Sequence, residues 1–599
     1  MYPIFPAGYN NLISQKGKTM FTIDVSEVYP SQYVLVSDDP YAVYSCGVKV
    51  TEDGTIVEGG KIIQICEALS GYGDVSLTQA ALEQMRRDND LTPFESPSFT
   101  SSKIPKMFQL KGINRSNGGD AYVYVYSTGC GKTMMGTMEI CRALDTDLAD
   151  IAIVVPTSSL MPQWEEFLHE DTSLDVASVH RCRSKAKRME FYQEDHQVYI
   201  INYDKFALND DMKAIEKMCR KKRVILVLDE THKIKHRTSN NRALKKFCNH
   251  VRPIKVIGLS ATPIESSLLD WYNQMRVFAP DVYGTVRDFE QSYTVGGGAK
   301  DMFNRYLGFQ NFEDCRLRSA HMVSFADKNS DPAIAAEFPE SNEIILNVEL
   351  SHFEQKLYRE IEELGRGLGE MRNGAIFMQY LQRLCNAPET LIPPYADSND
   401  QQGQMILERA SGYLKHLEKS KESAKMSRLE ALLDELMEGA GKTVVFAHYT
   451  NICLEQLNVR LARFKPLMFH GGLPQSEKSR VISQFQSDPT SRLLLLSDAG
   501  AEGFNLPQAN TLIHYDTPTQ YSRYQQRSGR ISRIDSKFSS IDIYRFVTKG
   551  TIEERIENLM LQRKKLAEDM GFLDGEEAAF LAIDVAEMTE RDYRYLLGF

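Results

Sequence analysis

AYVYVYSTGCGKT, residues 121–133, is followed about a hundred residues later by VILVLDETH, residues 224–232, and these two stretches decide how the rest of the chain reads. The first is an apolar, β-rich run that breaks into Gly129-Cys130-Gly131-Lys132-Thr133, the ending of a phosphate-binding loop between a strand and a helix. Backbone N–H groups of Thr128 to Thr133 can cradle phosphate oxygens there. Lys132 can reach the β- and γ-phosphates, and the Thr133 hydroxyl can hold Mg²⁺. The second run reads as a buried parallel strand ending in two carboxylates, suited to a metal-ordering Asp229 and a water-activating Glu230. The usual first glycine of the loop falls at Tyr126, so the loop is a shortened form.

Working outward, 599 residues predict about three to five domains at ~100–200 residues each. A hydrophobic share of 42% and a charged share of 25% are those of an ordinary globular protein. No apolar run reaches the ~18 residues needed to cross a bilayer, and MYPIFPAGYNN has no basic segment ahead of an apolar one, so an intracellular, cytoplasmic protein is expected. The 10 cysteines form no CxxC pair, which argues against a zinc knuckle or a disulfide framework. A net charge of −11 speaks against holding nucleic acid by bulk charge, yet leaves room for a local basic groove.

Residues 1–91 mix β-like alternation with a helical stretch near Leu77 to Arg87 and read as a small accessory domain. TPFESPSFTSSKIP, spanning 92–104 and Pro105, reads as a linker. From residue 105 to 267, strands alternate with helices, which predicts an α/β doubly wound parallel sheet with its functional loops at the strands' C-terminal ends. The polar ends of those strands are the candidate DNA-phosphate contacts: Ser158 and Ser159, which read equally well as helix caps, then Asn202 and Tyr203. RCRSKAKR, 181–188, is either a DNA-facing run or plain surface charge, and KMCRKKR, 217–223, is expected at the opposite edge of the sheet. Residues 268–426 read as mainly helical, and 427–550 repeat the strand-to-polar-turn pattern, offering His448, His470, Gly471 and Ser497 as further candidates. Gly500 and Gly503 allow close approach of a phosphate or of a partner lobe, or are turn glycines only. In QQRSGRISR, Arg530 and Arg533 stand three apart, one side of a helical turn. Residues 551–599 open with a capping-box pattern at Thr551 and close in an acidic stretch, nine acidic against two basic from Leu566 to Phe599.

PKMFQLKGINR, STGCGKT, DETHKIKH, GLSATPIESSLLDWYNQMRVFAP, LQRLCNAPETL, LLLLSDAGAEGFNLPQANTLIHYDTP, QQRSGRISRI and FVTKGTIEERI together resemble, in order and spacing, the Swi/Snf-type ATPases of helicase superfamily 2, in a compact bacterial or phage-like form. The resemblance implies two RecA-like lobes, 105–267 and 427–550, with helical protrusions between them, that hydrolyse ATP while moving along double-stranded or branched DNA. It further implies that Gln109 reads adenine, that the 128–133 loop and Gly503 contact nucleotide, and that Arg530 and Arg533 act as arginine fingers. Expected cofactors are ATP and Mg²⁺, the metal held by Thr133 and Asp229. A monomer is expected, with a protein partner for the N-terminal domain or the acidic tail. Two other readings are a strand-separating or branch-migrating helicase and an RNA-polymerase-associated scaffold whose nucleotide site is only a switch.

Overall fold

In a computed structural model, the described residues run from 19 to 561. Outside the description lie 1–18, 38, 47, 52–53, 58–60, 237, 262, 265–267, 301–305, 329–330, 368–373, 392–403, 405–407, 409–410, 413–414, 416–422, 449–452, 499–503, 519–520, 559–560 and 562–599. Thr262, Gly500, Gly503 and the acidic tail from Leu566 therefore fall outside the described residues.

Three sheets carry the chain. The first holds β1 (Thr19–Val25), β2 (Tyr33–Val36), β3 (Lys49–Thr51), β4 (Gly54–Val57) and β5 (Gly73–Leu77) in the order β3-β4-β2-β1-β5. Only the β1–β5 pairing is parallel. Phe21, Ile23, Tyr33 and Leu35 alternate along its strands and pack with Ile62, Ile65 and Leu69 of a helix, giving this sheet a core of its own.

The second sheet holds β6 (Ala121–Tyr126), β7 (Ile151–Val155), β8 (Val176–Ser178), β9 (Val198–Ile200), β10 (Val224–Asp229), β11 (Lys255–Ser260) and β12 (Val323–Ala326). Its order is β12-β6-β11-β10-β7-β9-β8, with every pairing parallel. β6, β7, β10 and β11 are buried along their whole length, as continuous Val/Ile/Leu/Tyr runs must be when helices cover both faces. The third sheet is parallel too: β13 (Glu340–Val348), β14 (Thr443–Ala447), β15 (Leu467–Phe469), β16 (Leu493–Ser497), β17 (Thr511–His514) and β18 (Ser540–Thr548), ordered β13-β18-β17-β14-β16-β15. Two doubly wound α/β lobes are present, as the alternation of strands and helices anticipates.

Two expectations change. Residues 268–426 are mainly helical among the described residues but also give each lobe a strand: β12 joins the second sheet beside β6, and β13 runs nine residues in register with β18 at the edge of the third. β12 is only four residues, and β13 is largely exposed, so neither shows the buried apolar run that marks the central strands. The stretch 92–104 is strapped down instead of spanning freely. Ser98 donates through N–H and hydroxyl to Asp145, Lys103 pairs with Asp171 at 2.6 Å, and Phe99 bridges Thr172.

The closing helix buries Ile552 and Ile556 against Leu357, Tyr358 and Leu381 of the helical pair between β13 and β14. Its carboxylate Glu553 meets the fully buried Lys425 ammonium at 2.6 and 2.8 Å, and that ammonium also donates to Asn386 Oδ1 at 2.7 Å. Removing the cation alone leaves a buried carboxylate without its charge partner. Lys425→Met is expected to cost about 3 kcal/mol or more, and Lys425→Met with Glu553→Leu less than the two single changes together, read by chemical denaturation followed by circular dichroism.

Candidate active site

β6 ends at a buried tyrosine, which explains the missing glycine. Tyr126 belongs to the strand: its hydroxyl donates to Phe108 O at 3.2 Å and holds down the helix Met107–Arg115. The loop then turns through Gly129 (φ 94°) and Gly131 (φ 81°), left-handed conformations that an L-residue rarely adopts, and Gly131 starts the helix Lys132–Asp145. Ser127 N–H donates to Ala326 O of β12 at 2.8 Å, and Lys132 Nζ donates to Tyr126 O at 3.0 Å. The Cys130 side chain is fully buried, so this residue contributes backbone only. Its carbonyl accepts from Gln109 Nε2 at 2.9 Å, while Gln109 Oε1 accepts from Lys106 N at 2.8 Å. Gln109 is thus buried against the loop with its amide already oriented at both ends.

Asp229 and Glu230 stand at the end of β10, two strands from the loop. Trp164 Nε1 donates to Asp229 Oδ2 at 2.7 Å, and Glu230 N–H donates to Asp229 Oδ1 at 2.9 Å. Burial, then the charge of Glu230, raises the Asp229 carboxyl to about 6. Burial pushes Glu230 the same way, but His232, Lys132 and Arg530 outweigh it and hold Glu230 ionised at about 2. His232 Nδ1 lies 3.3 Å from Glu230 Oε2. Glu230 itself sits at φ 51°, ψ 60°, a strained backbone for a non-glycine residue that turns its side chain toward those cations.

From the third sheet, the helix Tyr521–Ser528 stops before the arginine pair, so Arg530 and Arg533 lie on turns and not on the helical face expected. Both are nonetheless brought to the phosphate loop. A Cβ at Gly129 would stand 2.8 Å from Ser532 O and 3.2 Å from Arg533 Cα, and one at Gly529 would stand 2.5 Å from Thr128 Cγ2. Arg530 Nη1 donates to Phe504 O at 3.0 Å, and Arg533 Nε to Asp535 Oδ1 at 2.9 Å. The neighbouring Arg527, not singled out from the sequence, is structural. Its guanidinium is 2% exposed and forked between Asp498 (2.6 and 2.9 Å) and Asp516 (2.9 Å). Trp164 and His232 carry no role in the sequence reading; the indole sits on the helix after β7 and meets a carboxylate at the end of the neighbouring β10, a contact that no sequence spacing betrays.

The candidate DNA contacts divide. Asn202 Nδ2 donates to Ser158 Oγ at 2.7 Å, so these two strand ends meet, and Ser159 pairs with Thr157. Tyr203 leaves the group: it is buried, and its hydroxyl donates to Asp229 O at 2.6 Å. Ser497 leaves it too, being fully buried at the end of β16. His448 is 44% exposed and paired with Asp498 at 2.8 Å, while the Gly471 carbonyl accepts from Lys478. His470 follows β15, with its ring beside Gly472. In the largely exposed basic run at 181–188, Arg181 pairs with Glu165, Lys185 with Asp210 and Arg188 with Asp211.

Comparison with known proteins identifies the family. The profile described as SNF2-related domain matches residues 57–390, and the one described as helicase conserved C-terminal domain matches 424–535. The chain belongs to the SNF2-related family. SNF2-type relatives include the Bacillus subtilis protein named uncharacterized ATP-dependent helicase YqhH, 22% identical over 80% of this chain and 82% of that one. Two Schizosaccharomyces pombe proteins also match. Chromatin structure-remodeling complex subunit snf21 is 23% identical over 77% of this chain, and DNA repair protein rhp54 is 26% identical over 68%. The match spans only 39% and 49% of their lengths. A solved Sulfolobus solfataricus SWI2/SNF2 ATPase core in complex with dsDNA aligns at 20% identity with a TM-score of 0.36, covering 84% of this chain and 98% of that one. This SNF2-family chain is an ATP-hydrolysing enzyme of the helicase superfamily. Among the described residues, no helix is long and apolar enough to cross a membrane.

Two outcomes follow. Gly129→Ala combines a forbidden φ with a clash against Ser532 O and Arg533 Cα, so ATP turnover is expected to fall at least about tenfold while circular dichroism is unchanged. Asp229 keeps its proton in the folded state up to about 6, above the ordinary carboxylate value of 3.8, so its ionisation removes stability as pH rises through that window. The thermal midpoint of Asp229→Asn relative to the parent is therefore expected to rise between pH 4 and pH 7; a pH-independent difference would refute the assignment.

Proposed function

We propose that the chain is an ATP-dependent double-stranded DNA translocase that remodels protein–DNA complexes or branched DNA. The observation that carries this reading is the seating of the Arg530–Arg533 turn of one sheet on the phosphate loop of another, which makes turnover conditional on how the two lobes meet.

The residues fit a magnesium nucleotide. Two left-handed glycines without Cβ open onto the start of a 14-residue helix whose free N–H groups suit an anion. Lys132 exchanges the Tyr126 carbonyl for phosphate oxygen, and Gln109 fixes the loop while offering its amide to the base. Thr133 and Asp229 would hold Mg²⁺, which supplies charge neutralisation on the phosphates when bound. Glu230, kept ionised by its cationic neighbours, accepts the proton of the attacking water at its carboxylate. Arg530 and Arg533 stabilise the charge that develops on the transferred group.

DNA is the proposed track because relatives of this chain are named for chromatin remodelling and DNA repair. Ser158, held by the buried Asn202 amide at the ends of β7 and β9, suits phosphate contact through its hydroxyl, with His448, His470 and Gly471 as the candidates from the other lobe. Such contacts give little sequence preference and strong salt dependence.

The test is ATP turnover against duplex, single-stranded, forked and four-way DNA, together with displacement of a third strand from a triplex. Duplex stimulation with triplex displacement is expected, and Glu230→Gln is expected to bind nucleotide but to lose at least about a hundredfold in turnover. Separation of a plain tailed duplex would overturn the translocase reading in favour of a strand-separating helicase, and absence of stimulation by any DNA would overturn both.

A further inference from the structure

Residues 327–339 join β12 of the second sheet to β13 of the third, and this connector touches the pocket at several points. Where it begins, Ala326 O accepts from Ser127 N of the phosphate loop at 2.8 Å. Farther along, Glu337 pairs with Lys106 at 2.6 Å, the residue from which the Gln109 helix starts. The Phe338 ring packs on the loop, since a Cβ at Gly129 would meet its Cε1 at 3.0 Å. Where the connector ends, Glu340 N–H donates to Ser539 O at 2.9 Å, just after the arginine turn.

Within it, Lys328 reaches to the other lobe. Its Nζ donates to Ser532 Oγ at 2.6 Å and lies 5.0 Å from the centre of the Phe338 ring. Ser532 has no exposed surface, stands between Arg530 and Arg533, and carries the carbonyl that faces Gly129. Among the described residues, no carboxylate is within ion-pair distance of Lys328. Burial accordingly pulls the ammonium below the usual lysine value, with the charges of Asp327 and Glu343 acting the other way. A covered cation whose near partners are a hydroxyl and an aromatic face is costly to keep, and its placement is accounted for by what it holds.

We infer that Lys328 is a positioning residue of the ATPase: from the connector it clasps Ser532 and thereby seats Arg530 and Arg533 on the phosphate loop. The inference rests on the ATP-site reading above.

The test uses the full chain with Lys328→Met, Lys328→Arg, Ser532→Ala and the Lys328→Met/Ser532→Ala double variant. Duplex-stimulated kcat is expected to fall about tenfold in Lys328→Met and in Ser532→Ala with KM for ATP within about twofold, to recover largely in Lys328→Arg, and to fall no further in the double variant. Amide hydrogen exchange of residues 528–536 in the nucleotide-free protein is expected to rise in both single loss variants. A raised KM with unchanged kcat would overturn the clasp in favour of direct nucleotide contact, and multiplicative losses or unchanged exchange would also overturn it. If the parent protein hydrolyses no ATP with any DNA, the site reading fails by itself, and the exchange measurement still decides whether Lys328 holds Ser532.

Discussion

At Gly129, loops from two different sheets meet with no side chain between them. The approach of Ser532 O and Arg533 Cα to that position leaves no room for even a methyl group, and the glycine's φ of 94° excludes an ordinary L-residue on conformational grounds as well. Phosphate-binding N–H groups, Lys132 and the two acids come from one lobe, while the arginines come from the other. The proposed chemistry, divided in this way, would depend on a junction between packed bodies and so couple nucleotide turnover to lobe geometry.

Buried charges fix the bodies that meet there. Under the phosphate-loop helix, Glu139 is held by Lys255 at 3.1 Å and by Arg142 at 2.7 Å, and also accepts from Tyr124 at 2.6 Å. Burial works against its ionisation, but the two cations keep it charged and below its ordinary value. Behind the arginine turn, Arg527 is forked between Asp498 and Asp516 with its guanidinium over the Phe446 ring. Lys425 and Glu553 tie the last described helix to the start of the helix Ala424–Glu438 that leads into β14. Buried pairs of this kind add little net stability, because desolvation offsets most of the attraction; their geometry orients the loops they support.

Polarity is distributed unevenly around the two acids. Asp229, under an indole and beside a second carboxylate, favours its proton, whereas Glu230 faces His232, Lys132 and Arg530 and does not. A cation at Asp229 would have to displace that proton, whereas Glu230 is already ionised. The strained backbone at Glu230 is what separates the two environments over a single residue.

Periodicity and spacing determined much of this chain. Continuous apolar strands ending in Gly129-Cys130-Gly131-Lys132-Thr133 and Asp229-Glu230 suffice to require a parallel sheet with its loops at one end, because local backbone preference and burial of both faces are properties of short segments. Arg530 and Arg533 were picked out by the resemblance and by a spacing of three read as a helical turn, whereas the helix ends at Ser528 before either of them. Tertiary structure alone decided that β12 and β13 belong to opposite sheets, that Trp164 serves Asp229, that Tyr203 and Ser497 are buried, and that Lys328 reaches Ser532 across 204 residues of chain. These are contacts between segments distant in sequence, and no local pattern encodes which partner a side chain meets once the sheets have packed.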